Sequence, residues 1–181
     1  MPSKQNIAIK FVLVLFVCAT HFALTLIACS CGNRNSSEDL KESNDGRPFL
    51  VVHGTDSELG AQNVEVIVEI KNNPGILGID FEIYYDDTVM VLLDSQSTLD
   101  LEGCVYTSPS YYRNPTTFLW DFQDVTWTED GAILKLYFNI FETASLGKHE
   151  IKLMYEYGNI FDANGTPLDI EVKNAYINIE E

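Results

Sequence analysis

Residues 78–87 read GIDFEIYYDD. Phe81, Ile83 and Tyr85 alternate with Asp80, Glu82 and Tyr84. Successive side chains of a strand point to opposite faces, so this stretch predicts a strand with one apolar, aromatic face and one face bearing two carboxylates and a phenol. The same period recurs outward in both directions. NVEVIVEIKN sets Val64, Val66, Val68 and Ile70 against Glu65, Ile67 and Glu69. TTFLWDFQD sets Phe118, Trp120 and Phe122 against Thr117, Leu119 and Asp121. AILKLYFNIF sets Leu134, Leu136, Phe138 and Ile140 against Ile133, Lys135, Tyr137 and Asn139. VMVLL (89–93) reads as a short buried run, and EIKLMYEY, LDIEV and AYINI follow.

Turn chemistry falls between these runs: KNNPG (71–75), EDG (129–131), SLGK (145–148) and ANGT (163–166). Gly and Asn-Gly supply the positive φ angles of tight hairpins. No segment has helical periodicity. Evenly spaced strands with such turns predict an all-β fold, a jelly-roll β-sandwich of about nine strands over residues 48–181. Phe81, Phe118, Trp120, Leu136 and Phe138 have the phase of its core.

The start of the chain is of another kind. Lys4 and Lys10 precede FVLVLFVCATHFALTLIA (11–28), the arrangement of a secretory signal, with a transmembrane anchor as the rival at this length. The run ends in LIAC, which resembles the lipobox of bacterial lipoproteins, so residues 1–28 are expected to be cleaved and Cys29 lipidated. Acyl chains contribute about 0.8 kcal/mol per buried methylene, enough for a stable anchor when several are attached. Residues 29–47 have the Ser, Asn, Gly and mixed-charge composition of a flexible polar linker, spanning roughly 20–25 Å on average. Of the four cysteines, Cys18 leaves with the signal and Cys29 carries lipid; Cys31 and Cys104 are expected as unpaired thiols.

The net charge of −16 repels phosphate backbones and excludes a nucleic-acid role. No glycine-rich loop precedes a helix, and no histidine is placed to activate a nucleophile. His53 and His149 have no ligand spacing to the cysteines, so no metal site or cofactor is expected. DANG (162–165) lacks the further oxygen ligands of a calcium loop and reads as a hairpin turn. Asp80 and Glu82 emerge roughly 7 Å apart on one strand face, within the range of an inverting glycosidase pair. Charged residues at this spacing are also ordinary solvent-facing sheet, and the chain is read as no enzyme. Trp120 has a core phase, whereas Trp127, Tyr111 and Tyr112 lie near loops where they would form a sugar-stacking platform. A carbohydrate-binding module binding polysaccharide directly is therefore the alternative function.

ELGAQNVEVIVEIKNNPGILGIDFEIYYDDTVMVLL resembles the first half of a cohesin domain, the dockerin receptor of cellulosomes. The matching features are Gly60, the strand Val64 to Ile70, Gly75, Phe81, Tyr85–Asp86 and Leu92–Leu93. DGAILKLYFNIF and NIFDANGTPLDIEV resemble that family's later core strand and penultimate hairpin. Two positions depart from it: Asp87 replaces a proline after Tyr-Asp, and Asn174–Ala175 replace the glycine before the last strand.

The resemblance implies a non-catalytic, monomeric scaffold module that binds dockerin-bearing proteins through one sheet face, with calcium carried by the dockerin. It implies polysaccharide-degrading enzymes as cargo and, with the lipobox, a place on the extracellular side of a bacterial membrane. The family's contact aspartate maps to Asp80, its asparagine to Gly78 and its leucine to Leu119. Its tyrosine has no exact counterpart, with Tyr111 and Tyr112 both nearby, and Tyr112 is taken for the partner-binding set. Strand phase adds Glu82, Tyr84 and Asp121 to the expected partner-binding set.

Overall fold

The computed structural model describes residues 46–181 apart from 108, 110–112 and 124. The lipidation site Cys29, the signal, most of the linker, Cys31 and Tyr112 lie outside the described residues. Twelve strands form: β1 (Phe49–His53), β2 (Thr55–Glu58), β3 (Val64–Lys71), β4 (Gly78–Tyr84), β5 (Met90–Ser97), β6 (Val105–Thr107), β7 (Thr116–Asp121), β8 (Gly131–Ile140), β9 (Gly147–Met154), β10 (Ile160–Phe161), β11 (Glu171–Lys173) and β12 (Ala175–Glu180). Alternation placed the long ones. The count exceeds nine because β2, β6 and β10 are two to four residues long, too short for a period to register.

The strands make two sheets. One has the order β11-β1-β3-β8-β5; the other runs β2-β12-β9-β4-β7-β6, with β10 continuing along β4. Between them lies one core, which holds Val66, Val68, Ile70, Phe81, Ile83, Phe118, Trp120, Leu136 and Phe138. The five residues expected at its centre are all fully buried, and Phe81 packs at 6.0 Å from Phe118 and 5.5 Å from Trp120, ring centre to ring centre. Among the described residues the core runs from Leu50 to Ile179.

Three expectations need correction. Ile133 does not face away from Leu134: the β3–β8 register shifts between Val68 and Glu69, and this bulge turns both side chains inward. Leu93 is not buried: a second shift, between Leu92 and Asp94 on β5, turns it to solvent. Trp127 is not a surface aromatic. Its backbone pairs with Ile76 through two 2.8 Å hydrogen bonds, and its ring stacks 5.8 Å from Phe122 inside the core.

At both ends of the domain one residue carries the chain from sheet to sheet. Gly54 alone separates β1 from β2, and Asn174 alone separates β11 from β12. The crossovers touch: a β-carbon on Gly54 would fall on the backbone of Tyr176 and the side chain of Ala175. Asn174 accepts the Leu153 N–H through Oδ1 at 2.9 Å, standing in for a strand carbonyl. This hydrogen bond fixes the register of β12 on β9, Ala175 opposite Ile151 and Ile177 opposite His149, with no glycine at that position.

Candidate docking face

The outward residues of β4 and β7 form a ladder. Antiparallel pairing sets Gly78 opposite Asp121, Asp80 opposite Leu119 and Glu82 opposite Thr117. The ladder extends to β6, where Val105 pairs with Asp121 and Thr107 with Leu119, and to β9, where Met154 pairs with Glu82 and Lys152 with Tyr84. Directly opposite residues of one face touch. Asp80, Glu82, Tyr84, Leu119 and Asp121, separated by up to 41 positions in the chain, thus share one surface.

Large apolar groups are exposed among these acids. Leu119 is 41 % exposed, Met154 43 % and Val105 47 %. Tyr176 on β12 is exposed on the same face, with the Lys148 ammonium 5.9 Å from its ring centre. Such a mixture, apolar anchors within a polar surround, is the composition of a protein interface.

The outer face of the other sheet differs in that its two β3 acids, Glu65 and Glu69, are paired with cations of the same face. Glu69 bonds Lys71 at 2.7 Å and His53 at 2.7 Å, and Glu65 bonds Lys135 at 2.9 Å. The Lys173 ammonium lies 3.8 Å over the ring of Phe49. Among the described residues, no ion pair involves Asp80, Glu82, Asp121 or Glu156.

Asp80 is held where its charge is costly. Its N–H donates to the Asn159 carbonyl at 3.0 Å, and Asn159 Nδ2 approaches Oδ2 at 3.4 Å, while Oδ1 is buried without a partner. Burial, followed by the charges of Glu82 and Glu156, pushes the Asp80 carboxyl above the usual aspartate range. The Tyr84 hydroxyl donates to Glu82 Oε2 at 2.7 Å, and this bond raises the phenol. Asp121 accepts the Gln123 N–H at 2.9 Å, closing the turn after β7.

Gly78 requires a correction. It is buried, because the ring of Phe161 on β10 lies over it on the outward side. The surface at that position belongs to Phe161. The loop from β9 to β10, Tyr155–Asn159, is bonded to β4 beside it through Asn159 and Asp80, and the Glu156 charge acts on Asp80. Phe161, Glu156, Val105 and Met154 were missed in the sequence. Met154 and Val105 have an outward phase that alternation would have given; Phe161 comes by the pairing of the two-residue β10 with β4, and Glu156 by the loop.

The sugar platform loses Trp127, which is interior like Trp120, whose Nε1 donates to Ser97 Oγ at 3.0 Å. In the DANG stretch, the Asp162 carboxylate accepts the N–H groups of Asn164 at 2.8 Å and Thr166 at 2.9 Å and caps its own hairpin. Cys104 is a free, half-buried thiol, raised first by burial and then by Asp121.

Neither a family model nor a curated protein matches the sequence. Solved structures do match the fold. The sixth cohesin of scaffoldin B from Acetivibrio cellulolyticus, in complex with a dockerin, superposes with a TM-score of 0.63 at 22 % identity, covering 74 % of this chain and 99 % of that one. The cohesin of a type I cohesin–dockerin complex from Clostridium thermocellum gives 0.63 at 20 % identity over 74 % and 94 %. A non-cellulosomal cohesin from the archaeon Archaeoglobus fulgidus gives 0.59 at 18 % over 75 % and 92 %. The domain has the cohesin fold.

Proposed function

We propose that the protein is a non-catalytic, monomeric docking module that binds dockerin-bearing proteins across the outward face of β4, β7 and β6. Asp80 and Leu119 stand at the centre of the contact, with Glu82, Tyr84 and Asp121 around them. The observation that carries this reading is the contrast between the two sheet faces. On one, Glu65 and Glu69 are paired with Lys135, Lys71 and His53; on the other, Asp80, Glu82 and Asp121 have no cation partner and lie among exposed Leu119, Val105 and Met154. Acids without cations steer a basic partner and gain on contact what they lack in the free protein. Cohesins of the same fold have been solved in complex with dockerins, which supports that class of partner.

In this reading calcium belongs to the dockerin, and the chain needs no cofactor of its own. Cys29 carries the lipid that holds the module on the outer side of the bacterial membrane, and the cargo is polysaccharide-degrading enzyme. The test is capture by immobilised residues 46–181 from the culture medium of the source bacterium. Dockerin-bearing proteins, identified by peptide sequencing, should be retained with calcium and released by chelator. Retention of none of them, with binding to insoluble polysaccharide instead, would replace docking by direct sugar binding. A fatty-acid probe should label the full chain and not Cys29→Ala.

A further inference from the structure

Tyr157 is 77 % exposed, the highest value among the large apolar side chains of the described residues. Its loop is nevertheless tied down. The Tyr155 hydroxyl donates to the Ile170 carbonyl and accepts the Ile170 N–H, both at 2.7 Å. The Asn159 N–H closes on the Glu156 carbonyl at 3.0 Å, and the Asn159 carbonyl receives the Asp80 N–H at 3.0 Å. The loop is thus bonded to β4 on one side and to residue 170 on the other. An aromatic side chain presented to solvent from a braced backbone has little ordering left to lose on contact.

The surroundings of Tyr157 are anionic. Glu156 precedes it in the chain, and Asn159, two residues on, accepts the Asp80 N–H through its carbonyl and approaches the Asp80 carboxylate with Nδ2 at 3.4 Å. Glu82 is on the same strand face, and the cation that the register brings nearby, Lys152 opposite Tyr84, pairs with none of them. A cation over a tyrosine ring is attracted by the negative face of the ring, and adjacent carboxylates add to that attraction.

We infer that Tyr157 and Glu156 form a receptor for one basic side chain, arginine or lysine, of the docked partner. The ring supplies the stacking surface, and Glu156 with Asp80 and Glu82 supplies the counter-charge. This rests on the docking reading and adds to it a residue that decides which partners are accepted: a dockerin with no basic group at this point leaves the acids unpaired.

The probe is the calcium-loaded dockerin module captured by the unaltered domain, titrated calorimetrically at several salt concentrations. Tyr157→Ala should weaken binding by at least about tenfold, the level expected of an interfacial aromatic anchor. Tyr157→Phe, which keeps the ring, should stay near the unaltered affinity. Glu156→Gln should weaken binding and flatten its salt dependence, with melting temperatures unchanged. A photo-reactive phenylalanine at 157 should cross-link to the dockerin at or beside a basic residue. If the unaltered domain binds while Tyr157→Ala and Glu156→Gln bind equally well, the receptor is overturned and docking stands. If the unaltered domain captures no dockerin, both are overturned.

Discussion

The ring of Phe161 occupies the space that a β-carbon on Gly78 would need. Phe161 is half-buried and its side chain can swing outward, so Gly78→Ala should cost only about 1 kcal/mol, the low end for overpacking. Gly54 has no such outlet, because its β-carbon would meet the backbone carbonyl of Tyr176. Gly54→Ala should reach the upper end of the usual range, about 3 kcal/mol. In urea unfolding, Phe161→Ala should relieve the Gly78→Ala penalty and leave that of Gly54→Ala untouched.

The raised Asp80 carboxyl makes a pH prediction with a definite sign. Folded Asp80 holds its proton to a higher pH than unfolded aspartate, whose value is near 3.8. The stability tied to this group is therefore present below that value and is lost as pH rises through the folded one. Asp80→Asn should make the protein more stable near neutrality and flatten the slope of stability against pH just above 3.8. Melting temperatures of both forms from acid to neutral pH test it; a variant less stable at pH 7 would contradict the account.

Binding and folding should separate on the face. Asp80→Ala and Leu119→Asp should each weaken dockerin binding at least about tenfold, since loss of a buried, charged hydrogen-bond partner costs about 2–5 kcal/mol at an interface. Lys135→Ala, on the other sheet, breaks only an exposed pair with Glu65 and should bind like the unaltered protein. Calorimetry of the three at saturating calcium, beside their melting curves, makes the comparison.

The reverse pattern is expected inside. Leu136→Ala removes a fully buried side chain and should cost about 2–5 kcal/mol. Tyr155→Phe strips both partners from the buried backbone of Ile170 and should cost about 1–3 kcal/mol. It should also speed amide exchange at residues 156–159, which Leu136→Ala should not do selectively.

What the sequence disclosed follows from period. Asp80, Glu82, Leu119 and Asp121 stand outward because β4 and β7 alternate without interruption, and the antiparallel pairing of these two strands sets them side by side. Ile133 and Leu93 were misread because a bulge adds a residue without leaving a mark in composition. Trp127 was misread because proximity to a loop says nothing of a bridge to Ile76. Phe161 and Asn159 meet β4 at the end of a five-residue loop whose path depends on a tyrosine hydroxyl bonded to residue 170, a tertiary contact that no local pattern encodes.

The paired crossovers at Gly54 and Asn174 bear on how the sandwich opens. In a sandwich of independent hairpins, one sheet can fray while the other persists. Here β1–β2 and β11–β12 each belong to both sheets, so detaching a terminal strand from one pulls directly on its continuation in the other. Local opening is thereby converted into global opening, and the two sheets share one cooperative unit. A surface built on β4, β7 and β6 inherits that cooperativity, and its outline stays fixed until the whole domain melts.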